Sequence, residues 1–330
     1  MTFLAYQVSE QDDGMQANWI ERSLDELPAG DVVIDVEFSS LNYKDALSAS
    51  GNHGVTKSFP HTPGIDAAGS VVSSDDDAFK VGQQVMVFGY DLGMNTAGGF
   101  AKRIRVPAKW VLTLPEGIDA ATAMSWGTAG FTAALSVLKL ERAGISPKNG
   151  SVVVTGATGG VGTVGVLLLN HLGYDVIAVS GKSEQEQALL AMGASSVISR
   201  EDLMAVAGKA MARPQFQAAL DTVGGTVLEA LIPQIQPEGA VSTCGMIGGV
   251  SFKASVFPFI IRGISLLGVD SVEIPVADKQ AVVDKVAGPW RLDALEASTT
   301  EIGRGQLGET LTQILAGKGV GRYRLNLSKA

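Results

Sequence analysis

A doubly wound α/β architecture, a parallel sheet with helices on both faces, joined to a β-rich second domain, is the fold class this 330-residue chain predicts. Three observations predict it. Strand-like and helix-like segments alternate from residue 152 to residue 269, and the first of these strands runs into a glycine cluster. The first 120 residues instead carry short strand-like runs punctuated by Gly and Pro. The chain is also too long for one ordinary core, so two domains are expected.

In the β-rich part, residues 31–38 (Asp-Val-Val-Ile-Asp-Val-Glu-Phe) alternate apolar and polar side chains with period two, as a half-buried strand does. Residues 64–72, 84–88 and 100–106 are further strands, and 73–78, with three aspartates, is a solvated turn. Residues 120–143 are helix formers interrupted only by Gly127 and Gly130. After a linker at 147–150, strands at 152–154, 175–180, 196–199, 216–221, 240–244 and 264–269 alternate with helices, among them 161–172 and 183–192. That alternation implies right-handed βαβ units. Beyond Pro275 the chain turns helical and polar, then closes on a strand at 323–327.

Composition excludes several classes. A formal charge of −9 argues against nucleic acid as a partner, and any anionic ligand then needs a local basic pocket. One cysteine, Cys244, excludes an intrachain disulfide and a multi-cysteine metal site, and His53, His61 and His171 fit no ligand spacing. The longest apolar stretch, around 255–269, is broken by Pro258 and Arg262, so no membrane span is expected. The first ten residues place no basic region ahead of an apolar one, so a cytoplasmic protein is expected.

The strongest local signal is Val152-Val-Val-Thr-Gly-Ala-Thr-Gly-Gly-Val-Gly162, a strand, a glycine turn and a helix start. Gly156 permits the turn, Gly159 and Gly160 let the backbone approach a pyrophosphate, and Gly162 lets helix pack on strand. Thr158, Gly159, Gly160 and Val161 are the expected phosphate contacts, at a helix N-terminus that offers free N–H groups. About twenty residues on, an NAD site needs an acid for the ribose 2′-hydroxyl. This chain has Val179-Ser180-Gly181-Lys182 there, with no carboxylate before Glu184, and Arg200 follows the next strand. A hydroxyl and two cations suit a 2′-phosphate, and so NADPH. Cys244-Gly245-Met246-Ile247 ends a strand at the carboxyl edge of the sheet, where Cys244 and Ile247 are expected to meet the nicotinamide through backbone. Cys244 is not a nucleophile, since no His lies near it in sequence.

The glycine turn also fits short-chain dehydrogenases, which need a Tyr followed four residues later by Lys. Tyr6, Tyr43, Tyr90, Tyr174 and Tyr323 are followed at that spacing by Glu, Leu, Met, Ala and Leu, which removes that family. By contrast, Pro63-Gly-Ile-Asp-Ala-Ala-Gly69, Val81-Gly-Gln-Gln-Val85, Gly98-Gly-Phe-Ala101 and Gly127-Thr-Ala-Gly-Phe-Thr-Ala133 resemble the medium-chain dehydrogenase/reductase superfamily over essentially the whole chain. The resemblance implies a Rossmann-type NADPH-binding domain over residues 124–269 and a β-rich GroES-like catalytic domain over residues 1–123 and 270–330. Zinc-dependent members carry Gly-His-Glu where this chain has Gly64-Ile65-Asp66, together with ligand cysteines, so a zinc-free member is implied. Leu41-Asn-Tyr-Lys-Asp45, Ser180-Gly-Lys182 and the segment from Phe257-Pro-Phe-Ile-Ile-Arg-Gly263 to Val269-Asp-Ser-Val272 are similar to the acrylyl-CoA reductase group, whose bacterial members also carry quinone oxidoreductase names. One departure is Ala97, where the group usually has Trp before its Gly-Gly.

The resemblance implies hydride addition to a small activated alkene. Such a site must place the nicotinamide C4 on the β-carbon, stabilise an enolate-like oxygen and supply a proton, without a metal. Asn42 and Tyr43 replace the zinc-ligand region: Tyr43 is the candidate cofactor contact and proton donor, and Asn42 the candidate hydrogen-bond donor to substrate. Their structural alternatives are a turn cap at Asn42 and core packing at Tyr43, while Asp45 suits a helix start. Thr128 and Ser271, inside two of the quoted motifs, are expected cofactor contacts, and Arg262 and Arg322 are cations that could meet a CoA phosphate or pair structurally. The expected function is reduction of acrylyl-CoA or a similar enoyl thioester with NADPH. The alternatives are an NADPH:quinone oxidoreductase and a non-catalytic NADPH-binding sensor or structural protein. The apolar strand at 264–269 falls late in the sheet, where the family pairs edges across a two-fold axis, so a homodimer is expected.

Overall fold

The computed structural model describes residues 2–12 and 14–330, and the chain divides into two compact units. Unit 1 comprises Met1–Thr128, Val272–Gly288 and Glu296–Ala330; unit 2 comprises Ala129–Ser271 and Pro289–Leu295. The assignment of 289–295 to unit 2 was not legible in sequence. There His171 Nε2 lies 2.9 Å from the Pro289 carbonyl, and Trp290 and Leu292 are buried.

Unit 1 opens with an antiparallel hairpin, β1 (Thr2–Gln11) and β2 (Gly14–Ser23), that sequence patterning did not suggest. The β2 segment is exposed or half-buried throughout its length, so it carries no run of core residues to announce it. Then come β3 (Val32–Ser40), helix α1 (Tyr43–Ala49), β4 (Asp66–Ser74), β5 (Gln84–Phe88), β6 (Arg103–Val106) and β7 (Leu112–Thr113). The period-two stripe of β3 buries Val32, Ile34 and Val36 completely. The expected strand at 100–106 begins only at Arg103. Phe100 and Ala101 bridge to β1 instead, the Tyr6 N–H donating to the Phe100 carbonyl at 2.8 Å. Helix α2 (Ala120–Arg142) is broken at Gly127, whose φ of 50° and ψ of −160° are not helical.

Unit 2 alternates as the sequence predicts. Its order is β8 (Ser151–Val154), α3 (Gly160–His171), β9 (Asp175–Ser180), α4 (Glu186–Ala191), β10 (Ser196–Ser199), α5 (Arg200–Met204), β11 (Phe216–Asp221), α6 (Gly225–Leu231), β12 (Ile235–Thr243), α7 (Phe257–Arg262) and β13 (Ser265–Gly268). The six strands form one parallel sheet in the order β10-β9-β8-β11-β12-β13, the doubly wound arrangement with β8 inside. The expected helix at 183–192 is a 3-10 turn over Ser183–Gln185 followed by α4. β12 starts five residues earlier than expected, because a register shift against β11 accommodates Pro237 and the left-handed Glu238 (φ 58°).

The chain then returns to unit 1 with α8 (Val276–Ala287), β14 (Thr299–Ile302), α9 (Leu307–Leu315) and β15 (Arg322–Asn326). These complete a seven-stranded sheet ordered β14-β15-β3-β4-β5-β7, with β6 on β3. Among the described residues no helix is long and apolar enough to cross a membrane.

Arg262 is corrected here. Its guanidinium donates to the carbonyls of Pro233 at 2.8 Å, Ile235 at 2.9 Å and Ala212 at 2.5 Å, so it staples α7 to the start of β12 and presents no free donor fork for a phosphate. Replacing Arg262 by Ala strips three half-buried carbonyls of their partner, and we expect a loss of about 2–4 kcal/mol of stability, read by chemical denaturation. An unchanged midpoint would show that water replaces the guanidinium at no cost.

Candidate active site

The glycine turn of unit 2 closes as the sequence requires. Gly159 caps α3 from extended backbone (φ −81°, ψ 172°), and the Gly159 N–H donates to the Gly156 carbonyl at 2.9 Å. A Cβ on Gly162 would fall 2.7 Å from the Ala157 Cα, so only glycine lets α3 pack this close to the turn. Gly159, Gly160 and Val161 therefore sit at the start of a 12-residue helix whose first N–H groups have no partner within the helix, beside the buried Thr158. This donor set fits a diphosphate.

Ser180, Gly181, Lys182 and Arg200 come together at the end of β9, where they line a pocket of about 460 Å³ with Ile198 and Met204. Arg200 lies over Gly181: a Cβ built there would be 3.1 Å from the guanidinium. Ser180 has a local role. Its Oγ accepts the Lys182 N–H at 2.9 Å, so the hydroxyl fixes the turn that presents Lys182. Partial burial pulls the Lys182 ammonium below its ordinary range, with Glu184 opposing, so an approaching phosphate would restore solvation the cation has lost. Glu186 and Glu201 also line the pocket, but the last residue of β9 is Ser180, not an acid.

At the carboxyl edge, the thiol of Cys244 is pushed up to about 12 by burial and by Asp221, which removes thiolate chemistry. Ile247 is more than half exposed, and buried Ser271 accepts a hydrogen bond from Thr132 Oγ1 at 2.9 Å. The organiser of this edge is Asp221, which the sequence reading missed. Its Oδ1 accepts from Thr155 Oγ1 (2.7 Å) and the Val223 N–H (3.1 Å), and its Oδ2 from Thr243 Oγ1 (2.9 Å) and the Gly224 N–H (3.1 Å). One buried carboxylate thus ties together the ends of β8, β11 and β12.

In unit 1, Asn42 is the N-cap of α1 and Tyr43 its first residue. The Asp45 carboxylate accepts the Asn42 N–H at 2.8 Å, a capping arrangement, and also the N–H groups of Ile65 at 2.8 Å and Gly64 at 3.2 Å. The expected role of Asn42 as donor to substrate is corrected: its Nδ2 is spent on Asp66 Oδ2 at 2.8 Å. Tyr43 is half-buried and its hydroxyl makes no hydrogen bond among the described residues. Thr128, just past the kink, donates to Asp66 through both its N–H (2.9 Å) and its Oγ1 (2.5 Å). Ser40 Oγ also donates to Asp66 Oδ2.

Arg322 is likewise corrected. It is buried, and donates through Nε to the Ser125 carbonyl at 3.0 Å and through Nη2 to Ser40 Oγ at 3.0 Å, which removes it from any CoA phosphate. Burial lowers Arg322 to about 10, opposed by Asp66 and Asp45; burial and then the charge of Asp66 raise Asp45 to about 7. Asp66, fully buried, was missed as a site residue, although an acid opening the apolar run Asp66-Ala-Ala-Gly was the available signal. His61 is buried against the Gly93 carbonyl at 2.9 Å and His53 is exposed beside Phe59. No group of three or more His, Cys, Asp or Glu among the described residues could hold a metal.

Residues 160–287 match the family described as zinc-binding dehydrogenase, and residues 28–116 match the alcohol dehydrogenase GroES-like domain. Acrylyl-CoA reductase AcuI of Ruegeria pomeroyi is 38% identical over 97% of each chain. YhfP of Bacillus subtilis, which bears a quinone oxidoreductase name, is 44% identical over 89% of each chain. Its structure with NAD bound superposes with a TM-score of 0.96 over 99% of this chain and 100% of that one, at 41% identity. The yhdH oxidoreductase of Salmonella enterica, solved in complex with NADP, is 39% identical, with a TM-score of 0.95 over 99% of this chain and all of that one. With a turn that fits a diphosphate, a parallel sheet and an antiparallel-sheet unit in place, the chain belongs to the medium-chain dehydrogenase/reductase family, in the zinc-free group that holds AcuI and YhfP.

Proposed function

We propose that this chain reduces a small activated alkene with NADPH, acrylyl-CoA being the substrate of the leading reading. The observation that carries the cofactor is the pocket at the end of β9, where Lys182 and Arg200 converge and no acid stands at the strand end. The fit is local and physical: a helix start with unpartnered N–H groups for the diphosphate, and two cations for the 2′-phosphate. NADPH bound there supplies a hydride. The NADP bound by yhdH and the name of AcuI support the same reading; the NAD bound by YhfP makes cofactor choice a matter for measurement.

The remaining chemistry falls to the chain. We assign proton donation, or contact with the nicotinamide end, to Tyr43, whose hydroxyl is uncommitted. Asn42 acts as the cap that sets the first turn of α1. Thr158, Gly159, Gly160 and Val161 hold the diphosphate, and Cys244 and Ile247 offer backbone to the nicotinamide. Thr128 and Ser271 complete the cofactor contacts. A quinone is the second acceptor reading, favoured by the name of YhfP. We further propose a cytoplasmic homodimer: β13 is an edge strand, and Val250, Val256, Ile260 and Ile261, in the segment that precedes it along the chain, are each at least 65% exposed.

The test is NADPH oxidation followed in parallel with acrylyl-CoA, a quinone and a simple enone. The proposal expects the thioester to be turned over with the highest kcat/KM; binding of NADPH with no turnover on any acceptor would leave only a sensor or structural role. For the cofactor, Lys182→Ala and Arg200→Ala should each weaken NADPH binding by about tenfold or more, since a charge-assisted hydrogen bond contributes about 1.5–3 kcal/mol. NADH binding should not change, and equal loss for both cofactors would remove these residues from the 2′-phosphate. Tyr43→Phe should lower kcat by about 10²–10⁴-fold if its hydroxyl supplies the proton. An unaltered kcat with a raised KM for NADPH would instead assign Tyr43 to cofactor contact alone.

A further inference from the structure

Four donors from three separate elements converge on one buried carboxylate in unit 1. Asp66 accepts from Ser40 Oγ at the end of β3, from Asn42 Nδ2 at the cap of α1, and from the N–H and Oγ1 of Thr128 beyond the kink of α2. The kink itself is built for this contact. Gly127 sits at a φ of 50°, and a Cβ there would fall 2.7 Å from Asp66 Oδ2 and 3.0 Å from Arg322 Nη2. Only glycine therefore lets the Thr128 N–H reach the carboxylate. Arg322 closes the cluster by donating to Ser40 Oγ, the hydroxyl that donates on to Asp66.

We propose that Asp66 is a positioning residue of the reductase: through Asn42 it fixes the first turn of α1, and with it Tyr43, and through Thr128 it fixes the start of the helical segment beyond the kink. The inference rests on the function proposed above for Tyr43 and Thr128. A carboxylate suits the task because both its oxygens only accept: Oδ2 takes Ser40 Oγ, Asn42 Nδ2 and the Thr128 N–H, and Oδ1 takes Thr128 Oγ1. An amide in its place would turn an NH₂ group either against the three donors on one oxygen or against the Thr128 hydroxyl on the other, and would leave Arg322 short of countercharge. The capping carboxylate Asp45 stays in either case, so the helix can form while its first turn loses a fixed direction.

Asp66→Asn tests this, with Ser40→Ala as the milder variant that removes one donor and leaves the charges in place. Asp66→Asn should lower kcat by about 100-fold, the cost of a misplacement near 1 Å, with a smaller change in the dissociation constant for NADPH. Ser40→Ala should lose activity in the same direction but less, and it carries the test if Asp66→Asn does not fold. Amide hydrogen exchange, measured without cofactor, should rise over residues 40–45 and 128–131 in both variants, while the strands of unit 2 exchange at the wild-type rate. A merely structural role predicts a lower melting temperature with wild-type kcat in the folded protein, and that result overturns the inference. So does unchanged exchange in both segments. A wild-type chain that binds NADPH but reduces no acceptor removes the reductase reading instead, and is recognised before any variant is made.

Discussion

Burying a carboxylate and a guanidinium, joined through the Ser40 hydroxyl, inside a β-rich unit is the constraint on which the cluster in unit 1 depends. Taking either ion out of water is costly unless hydrogen bonds and countercharge replace the solvent. Asp66 and Arg322 are both buried, and the replacement is thorough: Asp66 receives four donors, and Arg322 donates to Ser125, Leu41 and Ser40. These groups belong to β3, α1, α2 and β15, so satisfying the two charges fixes the mutual placement of four elements. The second acid, Asp45, is raised to about 7, first by its burial and then by the charge of Asp66.

Unit 2 solves a related problem without a cation. Parallel strands end together at the carboxyl edge, and the loops that leave them carry N–H groups with no strand partner. Asp221 gathers the Val223 and Gly224 N–H groups and the hydroxyls of Thr155 and Thr243. It does so one residue before the glycine turn opens at Gly156, because Thr155 is the last residue before that turn. The ends of β8, β11 and β12 are thereby tied together beside the glycine turn. At the outer end of β9, by contrast, the pocket is lined by exposed Gly181 and Arg200, as suits a phosphate that enters from water. The two buried acids divide the work, one setting a helix start and a kink, the other a row of loops.

Residue spacing carried the phosphate turn, the missing acid at the end of β9 and five of the six parallel strands nearly to their boundaries, because each is a local pattern. A strand between two helices has period-two or continuous apolar character that needs no partner to be read. Spacing failed at β1 and β2, where the pairing partner supplies the evidence, and at the start of β12, where a bulge absorbs a proline. It also left Arg262 and Arg322 open between a phosphate and structural pairing, since a cation's number along the chain does not say whether carbonyls reach it first.

Sequence by itself therefore determined the fold class, the family resemblance, the turn fit for a diphosphate and the cationic, acid-free strand end, because each is read from short contiguous segments of the chain. Tertiary structure alone decided that Asn42 and Thr128 meet on Asp66, 24 and 62 residues away along the chain, and that Arg322 closes the same cluster on Ser40 across 282 residues. The physical reason is that a buried charge draws its partners from whichever elements the packing brings within 3 Å. No periodicity along a single chain records that distance.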